Sequence, residues 1–375
     1  MRIVQLITGS SSFGGAEAHV RDLSIGLRGR GHDCTVMVGP PEGALAEQLR
    51  EAGVPVVPIP ALRKPIRPVA DAVCFAQVMR ALRKARPEIV AAHTAKAGFI
   101  GRFAARRLGA PVFFTPHGLS FVDRERGTTI GFRLLLERLA ARTGGQMIAV
   151  CEAERRLALQ YLGSQAAPIA TIPHGLPDCE TRGERSGGRA AIAMVARFDR
   201  QKDHATLVRA LSSLRHLEWE LRLAGSGPLL ESIQRMVEER GLASRVTFLR
   251  QHRDTPGLLA ASDIFVLASH FEAFPISILE AMRAGLPVIA TDTGGVCEAV
   301  EEDWNGFLIP VGDSSRLAER LTLLLQSPEL RKSMGMRSRL RFRRDFEWRR
   351  MLDRTEALYA SALRNGIRCE MAPGA

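Results

Sequence analysis

Short apolar runs recur along the whole chain, each followed by a longer amphipathic stretch, and this alternation restricts the fold more than any other feature. In the first half the runs are "RIVQLIT", "CTVMVG", "PVVPI", "EIVAAH", "PVFFTPH", "QMIAV" and "IATIP". In the second half they are "AIAMVAR", "ELRLAG", "RVTFL", "IFVLAS", "PVIATD" and "GFLIP". Between them lie stretches with helical spacing such as "EAHVRDLSIGLRGR" and "PVADAVCFAQVMRALRKA". Strands separated by helices imply right-handed crossovers and parallel sheets covered on both faces. The polar, glycine-rich "ETRGERSGGRA" at 180–190 interrupts the series, which then restarts. A chain of 375 residues is too long for one ordinary core. The pattern therefore predicts two doubly wound α/β domains in tandem, at 1–180 and 188–346.

Composition narrows the class. Hydrophobic residues make up 46% and charged residues 25%, as in soluble globular proteins. No apolar run approaches the roughly 20 residues that span a bilayer, and "MRIVQLITGS" lacks a signal-peptide pattern. The six cysteines are scattered without metal-type spacing, which predicts reduced thiols in a cytoplasmic protein. The net charge is +12. Residues 1–180 carry 23 Lys and Arg against 15 Asp and Glu, and 331–350 carry nine against two. Nucleic acid is one partner such charge could serve, but aromatics are only 6% and no zinc-finger or RNA-binding signature occurs. An anionic membrane surface is another, and a solvated arginine-rich surface is the plain alternative.

In doubly wound sheets ligands bind beyond the carboxyl ends of the strands, so the loops there carry the candidates. After the first strand, Gly14 and Gly15 precede a helix start at Ala16; they allow close backbone approach to a phosphate or sugar, though a structural turn fits as well. His117 stands at the end of the fifth strand, as a functional histidine or a turn histidine bonded to backbone. Arg197 and Lys202 flank a turn after the first strand of the second half and could face one diphosphate. In "FEAFPISILEAMRAG", Pro275 predicts a helix start, with Glu272 in the loop before it and Glu280 about a turn inside. The first helical N–H groups would form an anion site with a carboxylate at each side. No two aspartates are separated by a single residue, the arrangement many sugar-nucleotide enzymes use to hold a divalent metal. Diphosphate charge would then be met by Arg197, Lys202 and helix dipoles, with no metal and no cofactor.

Taken in order, "GGAEAHV", "HTAKAGFIGRFAA", "TPHGLSF", "VARFDRQKDHATLVRAL", "LAGSGPL", "SDIFVLASHFEAFPISILEAMRAGLPVIATDTGGVCEAV" and "NGFLIPVGD" resemble the family-4 retaining glycosyltransferases of the GT-B fold. The resemblance implies two Rossmann-like domains facing a deep interdomain cleft, with a C-terminal helix at about 347–368 crossing back to the first domain. It implies that Glu280 binds the ribose of a nucleotide-sugar, UDP being the expected nucleotide, and that Glu272 contacts the transferred sugar. Backbone around Ala273, Phe274, Pro275, Ile276 and Ser277 would meet the phosphates, Arg197 and Lys202 would stabilise the departing diphosphate, and Gly15 would approach the donor. Three positions depart from the family pattern. Ala273 stands where glycine is frequent, and His174 replaces asparagine in "IPHGLP". "FLRQHRD" places Arg250, where glycine is common, and Gln251 in the loop expected beside the nucleobase. The resemblance further implies retention of anomeric configuration, with His117 near the reacting carbon. The acceptor would be a glycan or a polyprenyl-diphosphate-linked saccharide of bacterial surface polysaccharide synthesis. Arg63, in "ALRKPIRP", Lys96 and the loop "FVDRERG" would lie on its side. Peripheral contact with the inner face of an anionic membrane would account for the first domain's charge. Two other classes stand as alternatives: a non-hydrolysing nucleotide-sugar epimerase of the same fold, and a basic nucleic-acid-binding protein.

Overall fold

The computed structural model describes residues 1–10, 13–119, 130–163, 168–179, 188–250 and 254–364. Its contacts separate two units, Met1–Gly175 joined by Trp348–Ala375, and Leu176–Glu347. The division at Gly175 falls ahead of the polar stretch at 180–190, most of which lies outside the described residues.

The first unit contains β1 (Arg2–Ile7), α1 (Gly15–Gly29), β2 (Asp33–Val38), α2 (Gly43–Glu51), β3 (Val56–Pro58), α3 (Pro68–Ala85), β4 (Ile89–His93), α4 (Ala95–Leu108), β5 (Val112–Thr115), α5 (Ile130–Ala141), β6 (Gln146–Ala149), α6 (Glu152–Leu162) and β7 (Ile169–Thr171). The second contains β8 (Ala190–Val195), α7 (His204–Ser213), β9 (Trp219–Ala224), α8 (Leu230–Glu239), β10 (Val246–Leu249), α9 (Thr255–Ala260), β11 (Ile264–Leu267), α10 (Ile276–Arg283), β12 (Val288–Thr291), β13 (Gly306–Ile309), α11 (Ser314–Gln326) and α12 (Pro328–Arg341). A last helix, α13 (Trp348–Arg364), returns to the first unit. Each apolar run of the sequence is a strand; the central ones are buried from both faces, while β3, β7 and β10 at the sheet edges are only half-buried. β4, β5, β11 and β12 have no exposed residue at all.

The first sheet runs β3-β2-β1-β4-β5-β6-β7 and the second β10-β9-β8-β11-β12-β13, every pair parallel. In each, strand order reverses once, between β1 and β4 and between β8 and β11. Adjacent strands there lead away in opposite directions, which opens a crevice at their carboxyl ends. The candidate loops leave from these strands: Gly14 and Gly15 follow β1, Arg197 and Lys202 follow β8, and Glu272 and Pro275 follow β11.

α13 is part of the first core. Met351, Leu352, Tyr359 and Ala362 are buried among Ile3, Leu23, Leu27, Cys34 and Phe113. Outside that core, Arg30 binds Asp353 at 2.5 Å and Glu356 at 2.8 Å. No disulfide joins the described cysteines. Among the described residues no helix is long and apolar enough to cross a membrane.

The basic stretch 331–350 is engaged within its own unit. Arg339 and Arg343 bind Asp178 at 2.5 and 3.2 Å, Arg341 binds Glu301 at 2.9 Å and Arg344 binds Asp345 at 2.7 Å. Arg331 and Arg337 donate to backbone carbonyls. Much of that positive charge therefore has a partner already.

Candidate functional site

In the second unit two loops at the β8/β11 reversal are sewn together. Lys202 and Ser269 form an isolated antiparallel bridge. His270 N–H donates to the Gln201 carbonyl at 2.8 Å, Asp203 N–H to the Ala268 carbonyl at 3.0 Å, and the Gln201 side chain to the Phe271 carbonyl at 2.7 Å. This stitching brings the Lys202 ammonium onto Glu272 Oε1, which also accepts from Ser269 Oγ at 2.6 Å. Glu272 is only 4% exposed, so its charge is balanced by Lys202 rather than by water. Arg197 pairs with Asp199 at 2.9 Å on the same loop. Each of the two cations singled out from the sequence thus arrives with its own carboxylate. Gln201, Ser269 and Asp199, which hold them, gave no signal in the sequence.

The helix expected at Pro275 forms as α10, with Pro275 as the extended residue before its first turn. Its first N–H groups, those of Ile276 and Ser277, have no partner inside the helix. Phe274 and Ile276 are buried, and Glu280 lies half-buried one turn in. Ala273 has a negative φ, so the replacement of glycine costs no backbone strain, and its carbonyl accepts from Gly295 N–H at 2.8 Å. Gly294, at φ 58°, packs so closely that a Cβ there would strike the Glu272 carbonyl. Gly227 stands in the same way against the carbonyl of Phe198, beside Arg197. These glycines shape the floor on which Glu272 and Arg197 stand. Arg250 lies beyond β10 and reaches Gln234 of α8 at 3.3 Å, while Gln251 lies outside the described residues.

In the first unit four histidines from separate segments meet: His19 on α1, His93 ending β4, His117 after β5 and His174 after β7. Ring centroids of His19 lie 4.9 Å from His117, 4.8 Å from His174 and 5.5 Å from His93. Gln5 Oε1 accepts from His93 Nε2–H at 2.7 Å, which leaves His93 Nδ1 to accept from His117 Nε2–H at 3.0 Å. His117 Nδ1 then carries a lone pair, and it is buried without a partner. His19 and His174 share a 3.0 Å contact between their Nδ1 atoms. Burial lowers all four affinities for protons, His19 to about 4; for His93, His117 and His174 repulsion from neighbouring histidines adds to it. Neutral imidazoles can ligate metal, and ring nitrogens of His19, His93 and His117 lie within 4.8 Å of one another, the one such group among the described residues. His117 has φ 54°, an uncommon value for a non-glycine residue. Its loop is clamped by Glu154, whose carboxylate accepts from Gly118 N–H at 2.7 Å and Val150 N–H at 2.8 Å. Burial pushes that carboxyl up to about 7, against the two backbone bonds.

Gly14 caps α1, and its N–H meets Glu17 Oε2 at 3.2 Å. Arg63 and Lys96 line one cavity of about 460 Å³ in this unit, whereas His117 is not on its wall. Lys96 is not an exposed binding cation: it is bound to Asp71 at 2.6 Å and to the Pro65 carbonyl, locking α4 to the segment before α3. The "FVDRERG" loop lies outside the described residues.

Two family models match, "Glycosyltransferase Family 4" over residues 13–178 and "Glycosyl transferases group 1" over 181–341. A Bacillus subtilis protein named as the glycosyltransferase EpsD is 30% identical over 302 residues, 75% of this chain and 78% of its own. The UDP-Gal:alpha-D-GlcNAc-diphosphoundecaprenol alpha-1,3-galactosyltransferase of Escherichia coli is 28% identical over 276 residues, 68% of this chain and 70% of its own. Among solved structures, sucrose-phosphate synthase of Thermosynechococcus elongatus superposes with TM-score 0.84 at 21% identity, covering 97% of this chain and 99% of that one. Anabaena HepE in complex with UDP and glucose also gives 0.84, at 22% identity over 96% and 99% of the two chains.

Proposed function

Because this chain belongs to glycosyltransferase family 4, we propose that it moves a sugar from UDP to a hydroxyl of a glycan or polyprenyl-diphosphate-linked saccharide, with retention of configuration. The observation that carries the reading is the Lys202–Glu272 pair, held beside Arg197 and the N-terminus of α10. Breaking the anomeric C–O bond places negative charge on the leaving diphosphate and positive charge on the sugar. Lys202, oriented beforehand by Glu272, together with Arg197 and the N–H groups of Ile276 and Ser277, would stabilise the first where it develops. Glu272 Oε1 is already taken by two donors, so a sugar hydroxyl would meet Oε2. Glu280 would accept from the ribose.

A carboxylate neutralised by lysine and serine is a poor covalent nucleophile. This favours attack by the acceptor hydroxyl from the face the diphosphate leaves, the departing phosphate oxygen taking the proton. His117 would orient the acceptor or the sugar. The protein cations would do the work of a divalent metal, so neither metal nor cofactor is required. The E. coli relative is named for a diphosphoundecaprenol acceptor, which supports a lipid-linked acceptor and peripheral contact with the cytoplasmic face of an anionic membrane. The epimerase and nucleic-acid readings gain no support from the family matches or these relatives.

The test is thermal stabilisation by a panel of UDP-, GDP- and ADP-sugars, with and without EDTA. Mass action raises the melting temperature for a true donor. A UDP-sugar should stabilise most, and turnover with it should survive the chelator; activity abolished by EDTA and restored by manganese would remove metal independence.

A further inference from the structure

We propose that the histidine cluster of the first unit is a site for one first-row divalent metal cation, zinc above all. His19, His93 and His117 supply its ring nitrogens, and His174 packs against them. The inference goes beyond the transfer reading, which calls for no metal: this cation ties segments of the fold together and takes no part in the chemistry.

Rigid parts of the fold bring the donors to one place. His93 is the last residue of β4, in register with Ile7 on one side and Thr115 on the other. His19 stands on α1, and His117 follows β5 in the turn whose Gly118 N–H is held by Glu154. A cation bound to all three would pin a helix and a loop to the middle of the sheet. The donors are all imidazole, a set that suits zinc and its neighbours and not magnesium or calcium.

The spacing is close to what such a cation needs. His93 Nδ1 and His117 Nε2 are 3.0 Å apart, and nitrogens of the three rings all lie within 4.8 Å of one another. Zinc bonded to nitrogen at about 2.0–2.1 Å in a tetrahedron sets its ligands about 3.4 Å apart, so the rings need turn inward by only about 1 Å. Gln5 Oε1 takes the proton of His93 Nε2 and leaves the Nδ1 lone pair aimed at the other rings. Metal-binding histidines are fixed in tautomer and direction by an outer bond of this kind.

Hydrogen bonding among the rings does not account for the whole cluster. A neutral imidazole has one donor and one acceptor, and the chain from Gln5 through His93 to His117 ends at His117 Nδ1, buried without a partner. A lone pair left over inside a group of ring nitrogens is satisfied by a cation. His19, His93 and His174 are buried and His117 is half-buried, so a cation would enter past His117. Burial also keeps these rings neutral at pH 7, so binding there displaces no proton.

The experiment uses the full chain without a polyhistidine tag, stripped with EDTA and desalted, and takes zinc and magnesium chlorides as probes. Isothermal titration should give one zinc per chain, bound at least 100-fold more tightly than magnesium, and zinc should raise the melting temperature. His19→Gln and His93→Gln should each weaken zinc at least 30-fold. His216→Gln with His270→Gln, at two exposed positions, should leave its affinity unchanged. Metal-free melting temperatures close to that of the wild type would show that the variants fold. X-ray absorption at the zinc edge needs no variant, and should count at least three imidazoles and no sulfur. The proposal is overturned if zinc does not bind or magnesium binds equally, or if the His19 and His93 variants keep full affinity. Sulfur, or fewer than three imidazoles, would mean an adventitious ion only and would overturn it as well.

Discussion

Lys202 and Glu272 meet because backbone bonds between their loops leave them no alternative, and the pair behaves as one group. Lys202→Ala removes the cation proposed to face the leaving group and strands Glu272 without its counter-charge. It should lower kcat/KM by about 30- to 1,000-fold, the equivalent of about 2–4 kcal/mol for one preorganised group. Glu280→Gln should act differently, weakening UDP binding, because an amide accepts less well than a carboxylate from two ribose hydroxyls. Steady-state kinetics and UDP titration check both; unchanged UDP affinity in Glu280→Gln would count against its role. At this scale the sequence is only partly legible. Glu272, Lys202, Arg197 and Pro275 stand out because proline and charge punctuate loops after strands. The partners Ser269, Gln201 and Asp199 do not, since ordinary polar residues gain meaning only when two distant loops touch. For the same reason nothing local announces that Lys96 will pair with Asp71 on another helix.

Strands were the most legible elements, because a strand buried from both faces must be a continuous apolar run. Helices α7 and α11 start where Asp203 and Asp313 cap their first turns, positions the alternation of runs did not mark. What the pattern cannot express is convergence. The four histidines arrive from α1, β4 and two loops, and only the sheet order places them side by side. α13 shows how strongly an element can belong to a distant part of the chain. Leu352 is buried against Gly26, where a Cβ would collide with it. Leu352→Ala should cost about 2–5 kcal/mol and lower the first unit's melting temperature by several degrees. Leu363→Ala, at a position 37% exposed on the same helix, should change it little. Calorimetry of the two variants decides; equal effects would mean that α13 is held by its surface rather than its core.

Across the whole molecule the buried imidazoles set the response to acid. Unfolded histidine titrates near 6.5, whereas burial lowers His19 and His204 to about 4 and His93, His117 and His174 well below the ordinary value. Below pH 6.5 the unfolded chain takes up protons that the fold refuses, so stability falls with pH by up to about 1.4 kcal/mol per unit for each group. Glu154 opposes this, because its carboxyl, pushed up to about 7 by burial, keeps a proton that the unfolded chain gives up above about 4.5. One carboxyl does not offset five imidazoles. The melting temperature should be level between about pH 7 and 8 and fall steadily below 6.5, with a shallower fall in the His19→Gln, His174→Gln double variant; a curve flat to pH 5 would show these rings to be hydrated.

The second unit is an insertion within the first, entered after Gly175 and left before Trp348. Its two ends are themselves paired, Leu176 with Glu347. A ribosome therefore releases seven strands of the first sheet, then a complete second unit, before it delivers the helix that seals the first core. The second unit can mature while it is still tethered, but Ile3, Leu23 and Phe113 must wait for Leu352 and Tyr359. Until α13 emerges, the unit made first is the one left unfinished.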